Sequence, residues 1–278
     1  MAEGPEPAGC AGTGRHRTAG GRGALGAAAL AGEPAIQRLN PATPPRRLRV
    51  ATYNIHRGVG GDDIEDLDRI AAVLRELDAD IIALQEVGYR AQPRDDVARY
   101  LGDAIGAATI PGITLSDEAG DYGNALLTRL QVQAVQRHDI SVPGREPRGV
   151  IEARLYTGQD VVRIMATHLG LRQRERQQQL AQLLALLERP GGDLDVLLGD
   201  FNDWFRYSRL RRRLNAALGT AATAATFPAK HPALALDRIW ARPATSVTQL
   251  AAHRSRLSAI ASDHLPLVAE LALPSGHS

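Results

Sequence analysis

The sequence contains a single cysteine, Cys10, among its 278 residues. One thiol cannot form an intramolecular disulfide, and it cannot supply a cysteine-based metal cage. Any metal site in this chain must therefore rely on oxygen donors and imidazole nitrogens. A reducing compartment is compatible with this composition.

Lysine and aromatic residues are also scarce. Lys230 is the only lysine, a bias that suits bidentate phosphate contacts but that we attribute to a GC-rich genome. Aromatic residues make up 4% of the chain, which leaves few rings for stacking on bases and weakens the case for a nuclease that reads sequence. The formal net charge of +2 neither requires nor excludes a polyanionic partner.

Long apolar runs are absent, and none approaches the roughly 18 residues of a membrane span. A weakly apolar, glycine-interrupted run at 24–31 only faintly resembles a signal peptide. We therefore expect a cytoplasmic protein with no integral membrane segment and no obligate protein partner, and export is the less favoured alternative. The lack of GxxxxGK[ST] and GxSxG patterns disfavours a nucleotide-dependent phosphoryl transferase and an α/β-hydrolase serine.

Between two tails, the chain contains one long segment with regular apolar patterns. Residues 1–45 are rich in Ala, Gly, Pro and Arg, and predict a disordered tail because they cannot bury enough surface. Residues 46–274 are the predicted domain, and 275–278 form a C-terminal tail. The 44% hydrophobic content is enough for a substantial core.

Within the domain, strand and helix patterns alternate at first and strands dominate the middle. The long helix carries a leucine stripe typical of core packing, and the mixed strand pairing predicts an α/β fold of two sheets packed face to face with helices outside. The predicted helices are 64–77, 172–188 and 207–218, and the predicted strands are 48–55, 81–87, 124–130, 132–140, 150–156, 161–168, 195–199, 236–240 and 265–273.

Polar residues stand at the ends of several predicted strands. Asp200 and Asn202 follow the apolar run that ends at Gly199, and their spacing puts both side chains on one side. Asn54, Glu86 and His168 end three other strands. Taken singly, these three have ordinary alternatives as a turn residue, a solvated strand end and a structural histidine.

Two more such positions lie near the C-terminus. Asp237 interrupts an apolar strand near its middle, where an ion pair with Arg238 is the ordinary explanation. His264 follows Asp263 at the start of the last strand, and an imidazole there needs a carboxylate to fix its tautomer. Asp237 is a candidate for that partner.

Taken together, these side chains are of types that bind a hard cation and move protons. Oxygen ligands without cysteine favour Mg²⁺ or Mn²⁺ over Zn²⁺. A carboxylate beside an amide that donates to an oxyanion forms half of a site for phosphate ester cleavage.

The order of the motifs carries more information than each motif alone, and it resembles the endonuclease/exonuclease/phosphatase superfamily, with its DNase I-like fold. The resemblance covers about 48–273. It implies a four-layered α/β sandwich and metal-dependent hydrolysis of a phosphoester. The six motifs are Thr52-Tyr53-Asn54-Ile55, Leu84-Gln85-Glu86-Val87, Thr167-His168-Leu169, Gly199-Asp200-Phe201-Asn202, Leu236-Asp237-Arg238-Ile239 and Ser262-Asp263-His264-Leu265-Pro266.

The resemblance also implies a role for each motif residue at the metal end of the site. Glu86 would be the principal metal ligand. Asn54 would orient the metal shell or a phosphate oxygen, and Asp263 would support the metal end.

At the phosphate end, the resemblance gives Asp200 the task of orienting or deprotonating the attacking water, and Asn202 would donate to the phosphate. His264, supported by Asp237, would hold the phosphate or act as acid or base. His168 would stabilise the other side of the phosphate or protonate the leaving oxygen. The general base stays open between Asp200 and the His264–Asp237 pair.

Other polar residues have weaker assignments. Asn124 and Arg148 are candidate phosphate contacts, with a turn residue and a solvated loop arginine as the alternatives. Arginines at 206, 209 and 211–213 either line the substrate's approach or form a solvated helix face. We expect the substrate to be a phosphodiester of nucleic acid or of lipid origin; a phosphomonoesterase and a noncatalytic binding protein are the alternatives.

Overall fold

The computed structural model describes residues 47–89, 96–117, 120–205 and 207–274. The predicted tails, 1–45 and 275–278, lie outside the described residues. The helices are α1 (Leu67–Leu77), α2 (Val97–Ile105), α3 (Gln173–Leu187), α4 (Arg209–Leu218) and α5 (Ser258–Ala261). The strands are β1 (Arg47–Asn54), β2 (Ile81–Tyr89), β3 (Ala108–Asp117), β4 (Gly120–Thr128), β5 (Gln131–Asp139), β6 (Gly149–Tyr156), β7 (Val161–His168), β8 (Leu194–Asp200), β9 (Asp237–Arg242), β10 (Val247–Ala252) and β11 (Leu267–Ala272).

One sheet has six strands in the order β10-β11-β1-β2-β4-β3. β1 and β2 are parallel, and α1 crosses between them. Asp66 caps α1 by accepting a hydrogen bond from the backbone nitrogen of Arg69. Ile70, Leu74 and Leu77 then face the sheet because they recur at helical spacing and are fully buried.

The other sheet has the order β5-β6-β7-β8-β9. Its one parallel pair is β7 with β8, which are connected by α3. Leu180, Leu183 and Leu187 of α3 are buried against this sheet, which confirms the predicted leucine stripe. No helix within the described ranges is long and apolar enough to cross a bilayer.

Three cores separate four layers. The central core lies between the sheets, where alternate strand residues such as Ala83, Ile164 and Leu198 meet. A second core joins the six-stranded sheet to α1 and α2, and a third joins the five-stranded sheet to α3 and α4. The predicted sandwich of two mixed sheets flanked by helices is thus confirmed.

Several boundaries differ from the prediction. Asp237 is the first residue of β9 and does not lie mid-strand, so the strand pattern was placed one residue early. The predicted helix at 64–77 begins at Leu67, because the Asp66 cap fixes its start. α2, β3, β10 and α5 were not predicted; Pro111 and Gly112 interrupt the strand pattern of β3, and α5 is a single turn of four residues.

A buried ion pair stabilises the five-stranded sheet. The guanidinium of Arg163 is fully buried and donates to Asp195 through Nε (2.9 Å to Oδ1) and Nη2 (3.0 Å to Oδ2). Its Nη1 also donates to the carbonyl of Arg189 just beyond α3, at 3.2 Å. The pair therefore connects β7 and β8 to the carboxyl end of their crossover helix.

We expect Asp195→Ala to lower the free energy of unfolding by about 3–5 kcal/mol, the cost of leaving a buried charge unpaired. Urea denaturation measures this loss. Arg129→Ala is the control, since its partner Asp78 is 80% exposed and an exposed pair contributes about 1 kcal/mol or less. Similar losses in the two variants would contradict this account of the pair.

Candidate active site

The carboxyl ends of two parallel strand pairs meet at one end of the sandwich. Asn54 ends β1 and Glu86 lies near the end of the adjacent β2, while His168 and Asp200 end β7 and β8 and are register partners. Asp237 pairs with Asp200 from the antiparallel β9. Side chains far apart in sequence thus converge because the strands that carry them end together.

Glu86 reaches this end through a β-bulge. The register of β2 with β4 runs from Leu84–Ala125 to Val87–Gly123, so β2 contains one extra residue there. Glu86 adopts φ 59°, a left-handed conformation that costs free energy for a non-glycine residue. The bulge turns its carboxylate toward Asn54, whose Nδ2 donates to Glu86 Oε1 at 2.9 Å.

The turn after β8 depends on Gly199 and Asn202. Gly199 has φ 147°, and a Cβ there would lie 1.8 Å from the carbonyl oxygen of Thr167, so only glycine allows β7 and β8 to pair this closely. Asn202 has φ 48°, and its backbone nitrogen donates to Asp200 Oδ1 at 2.8 Å. This bond fixes one carboxylate oxygen of Asp200.

The other carboxylate oxygen of Asp200 lies at the centre of the cluster. Asn54 Nδ2 donates to Oδ2 at 3.2 Å, so one amide group connects Asp200 to Glu86. The Nε2 atoms of His168 and His264 lie 3.6 and 3.9 Å from the same oxygen. Asp200 is only 1% exposed, and it accepts hydrogen bonds from the Asn54 side chain and the Asn202 backbone.

His168 lies in a setting that opposes a positive charge. Arg148 Nη1 is 3.3 Å from its Nδ1, and Asn202 Nδ2 is 3.1 Å from its Nε2. Burial is the largest influence and lowers the pKa of His168 to about 3. The charge of Arg148 lowers this pKa further, and the charge of Asp200 opposes the shift without reversing it. The ring is therefore neutral near pH 7.

His264 lies in the opposite setting. Its Nδ1 donates to Asp237 Oδ2 at 2.8 Å, and Thr226 Oγ1 donates to the same oxygen at 2.6 Å. Burial opposes the charged ring, but the charge and hydrogen bond of Asp237, with Asp200 and Asp263, raise the pKa of His264 to about 10. The predicted Asp237–His264 pair is present, and Asp237 forms no ion pair with Arg238 in the described structure.

The carboxylates at this end fit a divalent cation. Glu86, Asp200 and Asp263 line the same cavity, and within the described residues none of them forms an ion pair with arginine or lysine. Carboxylate oxygens without an arginine or lysine partner suit a hard divalent cation.

A second donor set overlaps the first. Asp200, Asp237 and His264 each offer a ligand atom within 4.8 Å of the others. Asp237 Oδ2 already accepts hydrogen bonds from His264 and Thr226, and His264 Nδ1 is the donor in one of them. Asp237 Oδ2 and His264 Nδ1 are thus occupied by hydrogen bonds, whereas Asp237 Oδ1 is buried with no hydrogen-bond partner in the described residues.

The cluster opens into a cavity of about 480 Å³. Nine of the ten sequence-predicted site residues line it or contact a residue that does: Asp237 contacts His264, and the other eight line the wall. Arg148 is 6% exposed and bonded to Glu146 and His168, so the alternative of a solvated loop arginine is wrong. Asn124 is buried in β4, two residues from the lining Tyr122, and is not part of the described wall.

Several lining residues were missed by the sequence reasoning. Phe227 lines the cavity, and the preceding Thr226 lies behind it as a donor to Asp237; both come from an irregular segment that no apolar period marks. Tyr122 lies under the guanidinium of Arg57, 4.5 Å from ring centroid to Cζ, and burial followed by the charge of Glu86 raises its pKa. Trp204 lies two residues after the Asp200 motif, and its proximity to that motif is a signal that the sequence does offer.

Comparisons with known proteins agree with this geometry. The sequence profile described as the Endonuclease/Exonuclease/phosphatase family matches residues 51–264. The chain belongs to that family. The match contains the first five motifs whole and reaches His264 in the sixth, so the resemblance noted in the sequence is confirmed.

The chain is also similar to individual proteins. It is 34% identical over 246 residues to the uncharacterized protein YbhP of Escherichia coli strain K12, covering 81% of this chain and 96% of YbhP. The solved structure of an endonuclease/exonuclease/phosphatase from Beutenbergia cavernae is 26% identical with a TM-score of 0.66, covering 82% of this chain and 72% of that one. A mannosyl-6-phosphatase from Bacteroides thetaiotaomicron is 18% identical with a TM-score of 0.63, covering 81% and 99%, a likeness of fold alone.

Proposed function

We propose that this protein is a divalent-metal-dependent phosphodiesterase that cleaves a diester of nucleic-acid or lipid origin by attack of water. The observation that carries this proposal is the position of Asp200. Its Oδ2 lies within 3.9 Å of the Nε2 atoms of two histidines, one neutral and one paired with Asp237. The Asn54 amide connects it to a carboxylate end suited to a cation.

At the carboxylate end, Glu86 would hold the cation with Asp263, and Asn54 would orient Glu86 through its amide nitrogen. A bound Mg²⁺ or Mn²⁺ supplies Lewis-acid stabilisation of charge on the phosphate oxygens. The Oδ1 atom of Asn54 accepts from the backbone nitrogen of His56 at 3.0 Å. This bond fixes the amide with its nitrogen facing both carboxylates.

Asp200 is our candidate for the residue that orients water and accepts its proton. Oδ1 is fixed by the Asn202 backbone, so Oδ2 keeps one direction. His264, with Nδ1 bonded to Asp237, presents Nε2 to the same space and donates to a phosphate oxygen. In other hydrolases, a carboxylate bonded to Nδ1 likewise fixes the histidine tautomer and stabilises the protonated ring, so that Nε2 faces the substrate.

On the other side of the cavity, His168 and Arg148 would bind the phosphate and the leaving oxygen. Arg148 is held by Glu146 at 3.0 Å and is therefore positioned before the substrate arrives. Asn202 Nδ2 also donates to the carbonyl of Leu169 at 2.9 Å, which keeps its amide near His168. Donors that need no reorganisation stabilise the transition state most effectively.

The proposal is tested with the purified chain and two chromogenic esters. In the presence of Mg²⁺ or Mn²⁺, we expect faster hydrolysis of bis(p-nitrophenyl) phosphate than of p-nitrophenyl phosphate. Faster release of p-nitrophenol from the monoester would establish a phosphomonoesterase instead. If neither ester is hydrolysed, and plasmid DNA and phospholipids also stay intact, the result would favour a noncatalytic binding protein.

A further inference from the structure

Exposed apolar side chains concentrate beside the active-site cavity. Leu171, Trp204, Phe205 and Tyr207, here called the apolar rim, are 65%, 54%, 62% and 78% exposed. They account for four of the eight large hydrophobic side chains that are exposed in the described residues. Single exposed apolar residues are ordinary, but a cluster of this kind marks an interaction surface.

The rim joins two adjacent cavities. Leu171 and Trp204 line the active-site cavity, while Phe205 and Tyr207 line a second cavity of about 430 Å³ between the first turns of α3 and α4. Arg176 lines this second cavity and donates from Nη1 to the carbonyl of Leu171 at 2.7 Å. The four side chains thus form one continuous edge from the catalytic cluster outward.

On the side of the rim formed by α3 and α4, the exposed charges have one sign. In the described residues of 171–177 and 204–213, every exposed charged side chain is an arginine, namely Arg172, Arg174, Arg209, Arg212 and Arg213. The acids within these ranges are buried: Glu175 is 5% exposed, and the neighbouring Asp203 is 3% exposed. The α3 and α4 side of the rim is therefore complementary to an anionic partner, whereas on the cavity side the exposed Glu146, which pairs with Arg148, shares a wall with Leu171 and Trp204.

We infer that the apolar rim docks on an anionic phospholipid membrane. Trp and Tyr beside arginines match the composition of surfaces that lie at the lipid headgroup level. Docking would bring the mouth of the active-site cavity against the lipid. Of the two proposed substrate classes, a diester of lipid origin would then be favoured over nucleic acid. That last step rests on the proposed function, whereas the docking itself does not.

Single-stranded nucleic acid is the other anionic partner that uses aromatic side chains. Bases stack on aromatic rings, but Leu171, the second most exposed member of the rim, has no ring to offer. Partition into the acyl boundary accounts for the aliphatic and the aromatic members alike. The membrane is therefore the partner that accounts for the whole rim.

The test measures binding to vesicles of phosphatidylcholine with phosphatidylglycerol, in EDTA so that no turnover contributes. The chain has two tryptophans, and Trp240 is 1% exposed, so a blue shift of fluorescence on binding reports Trp204. We expect Phe205→Ser with Tyr207→Ser to weaken binding by at least about tenfold. Replacing Arg209, Arg212 and Arg213 by Gln should weaken it by about fivefold for each arginine at low salt.

Matched controls separate docking from folding and from catalysis. Tyr100→Ser removes a 37% exposed aromatic side chain from α2, on the opposite outer layer, and should leave vesicle binding unchanged. Phe205→Trp with Tyr207→Phe should restore binding. Circular dichroism and hydrolysis of bis(p-nitrophenyl) phosphate should match the parent protein in the Ser variant, since Phe205 and Tyr207 do not line the catalytic cavity.

Four results would overturn the inference. These are the absence of vesicle binding, equal binding by the double Ser variant, tighter rim-dependent binding to an oligothymidylate than to vesicles, and a rim-dependent dimer in sedimentation velocity. Because vesicle binding is measured without turnover, it can fail while diester hydrolysis persists, and it can succeed when hydrolysis is absent.

Discussion

Asp200→Asn is expected to lower the turnover number for bis(p-nitrophenyl) phosphate by roughly 10²–10⁴-fold, the range typical of acid/base groups. The substitution removes a negative charge next to two imidazole rings. It also places an amide nitrogen where Asp200 accepts from Asn54 or Asn202, so one of those donors loses its acceptor. Initial rates with saturating Mg²⁺ or Mn²⁺ measure the effect.

Asp203→Asn, the same substitution three residues further along the chain, is the control. Asp203 is also buried and accepts a hydrogen bond from Ser208, but it lines the second cavity and not the catalytic one. Asp203→Asn can still accept from Ser208 through its amide oxygen and should retain most of the activity. Near-normal turnover in Asp200→Asn, or an equal loss in Asp203→Asn, would show that Asp200 is not the group that handles the water.

The positions of the site residues could be predicted largely because strands obey simple rules. Apolar runs that end in polar residues locate strand ends, and parallel strands bring their carboxyl ends to one edge of a sheet. His168 and Asp200 therefore lie side by side in one sheet, and Asn54 reaches Asp200 from the other sheet because the two sheets pack face to face. Their roles in catalysis remain predictions that the proposed variants test.

The geometry inside the site could not be predicted in the same way. The bulge at Glu86 depends on how β2 pairs with β4, and no local pattern specifies one extra residue in a non-glycine left-handed conformation. Thr226, the second donor to Asp237, comes from a loop whose position is set by long-range contacts. The burial of Arg148 likewise depends on contact with His168, 20 residues away in the sequence, as well as on the nearby Glu146.

Composition was also misleading about surface chemistry. A 4% aromatic content argues against stacking surfaces if the rings are spread evenly. In the folded chain, Tyr122, Trp204 and Phe227 line one cavity, and Phe205 and Tyr207 line the next. Few aromatic residues can still form a specific surface when a single turn after β8 contributes most of them.

EDTA is expected to abolish hydrolysis of bis(p-nitrophenyl) phosphate, and excess Mg²⁺ or Mn²⁺ should restore it. Glu86→Gln should raise the metal concentration needed for half-maximal rate by at least the roughly 10–100-fold that changes in outer-shell partners cost. Glutamine keeps the size of the side chain and its contact with Asn54. It removes one negative charge from the group of Glu86, Asp200 and Asp263, which forms no ion pair with arginine or lysine in the described structure. Metal titration of initial rates measures the shift.

Glu146→Gln is the control for this metal dependence, because Glu146 lines the same cavity but its charge is already paired with Arg148. Its substitution should leave the half-maximal metal concentration within about twofold of the parent, since no donor to the cation is lost. Activity that resists chelation would contradict the metal assignment altogether. A shift in Glu146→Gln as large as in Glu86→Gln would place the cation nearer Arg148 than Asn54, because only the carboxylate that holds the ion directly should control its affinity.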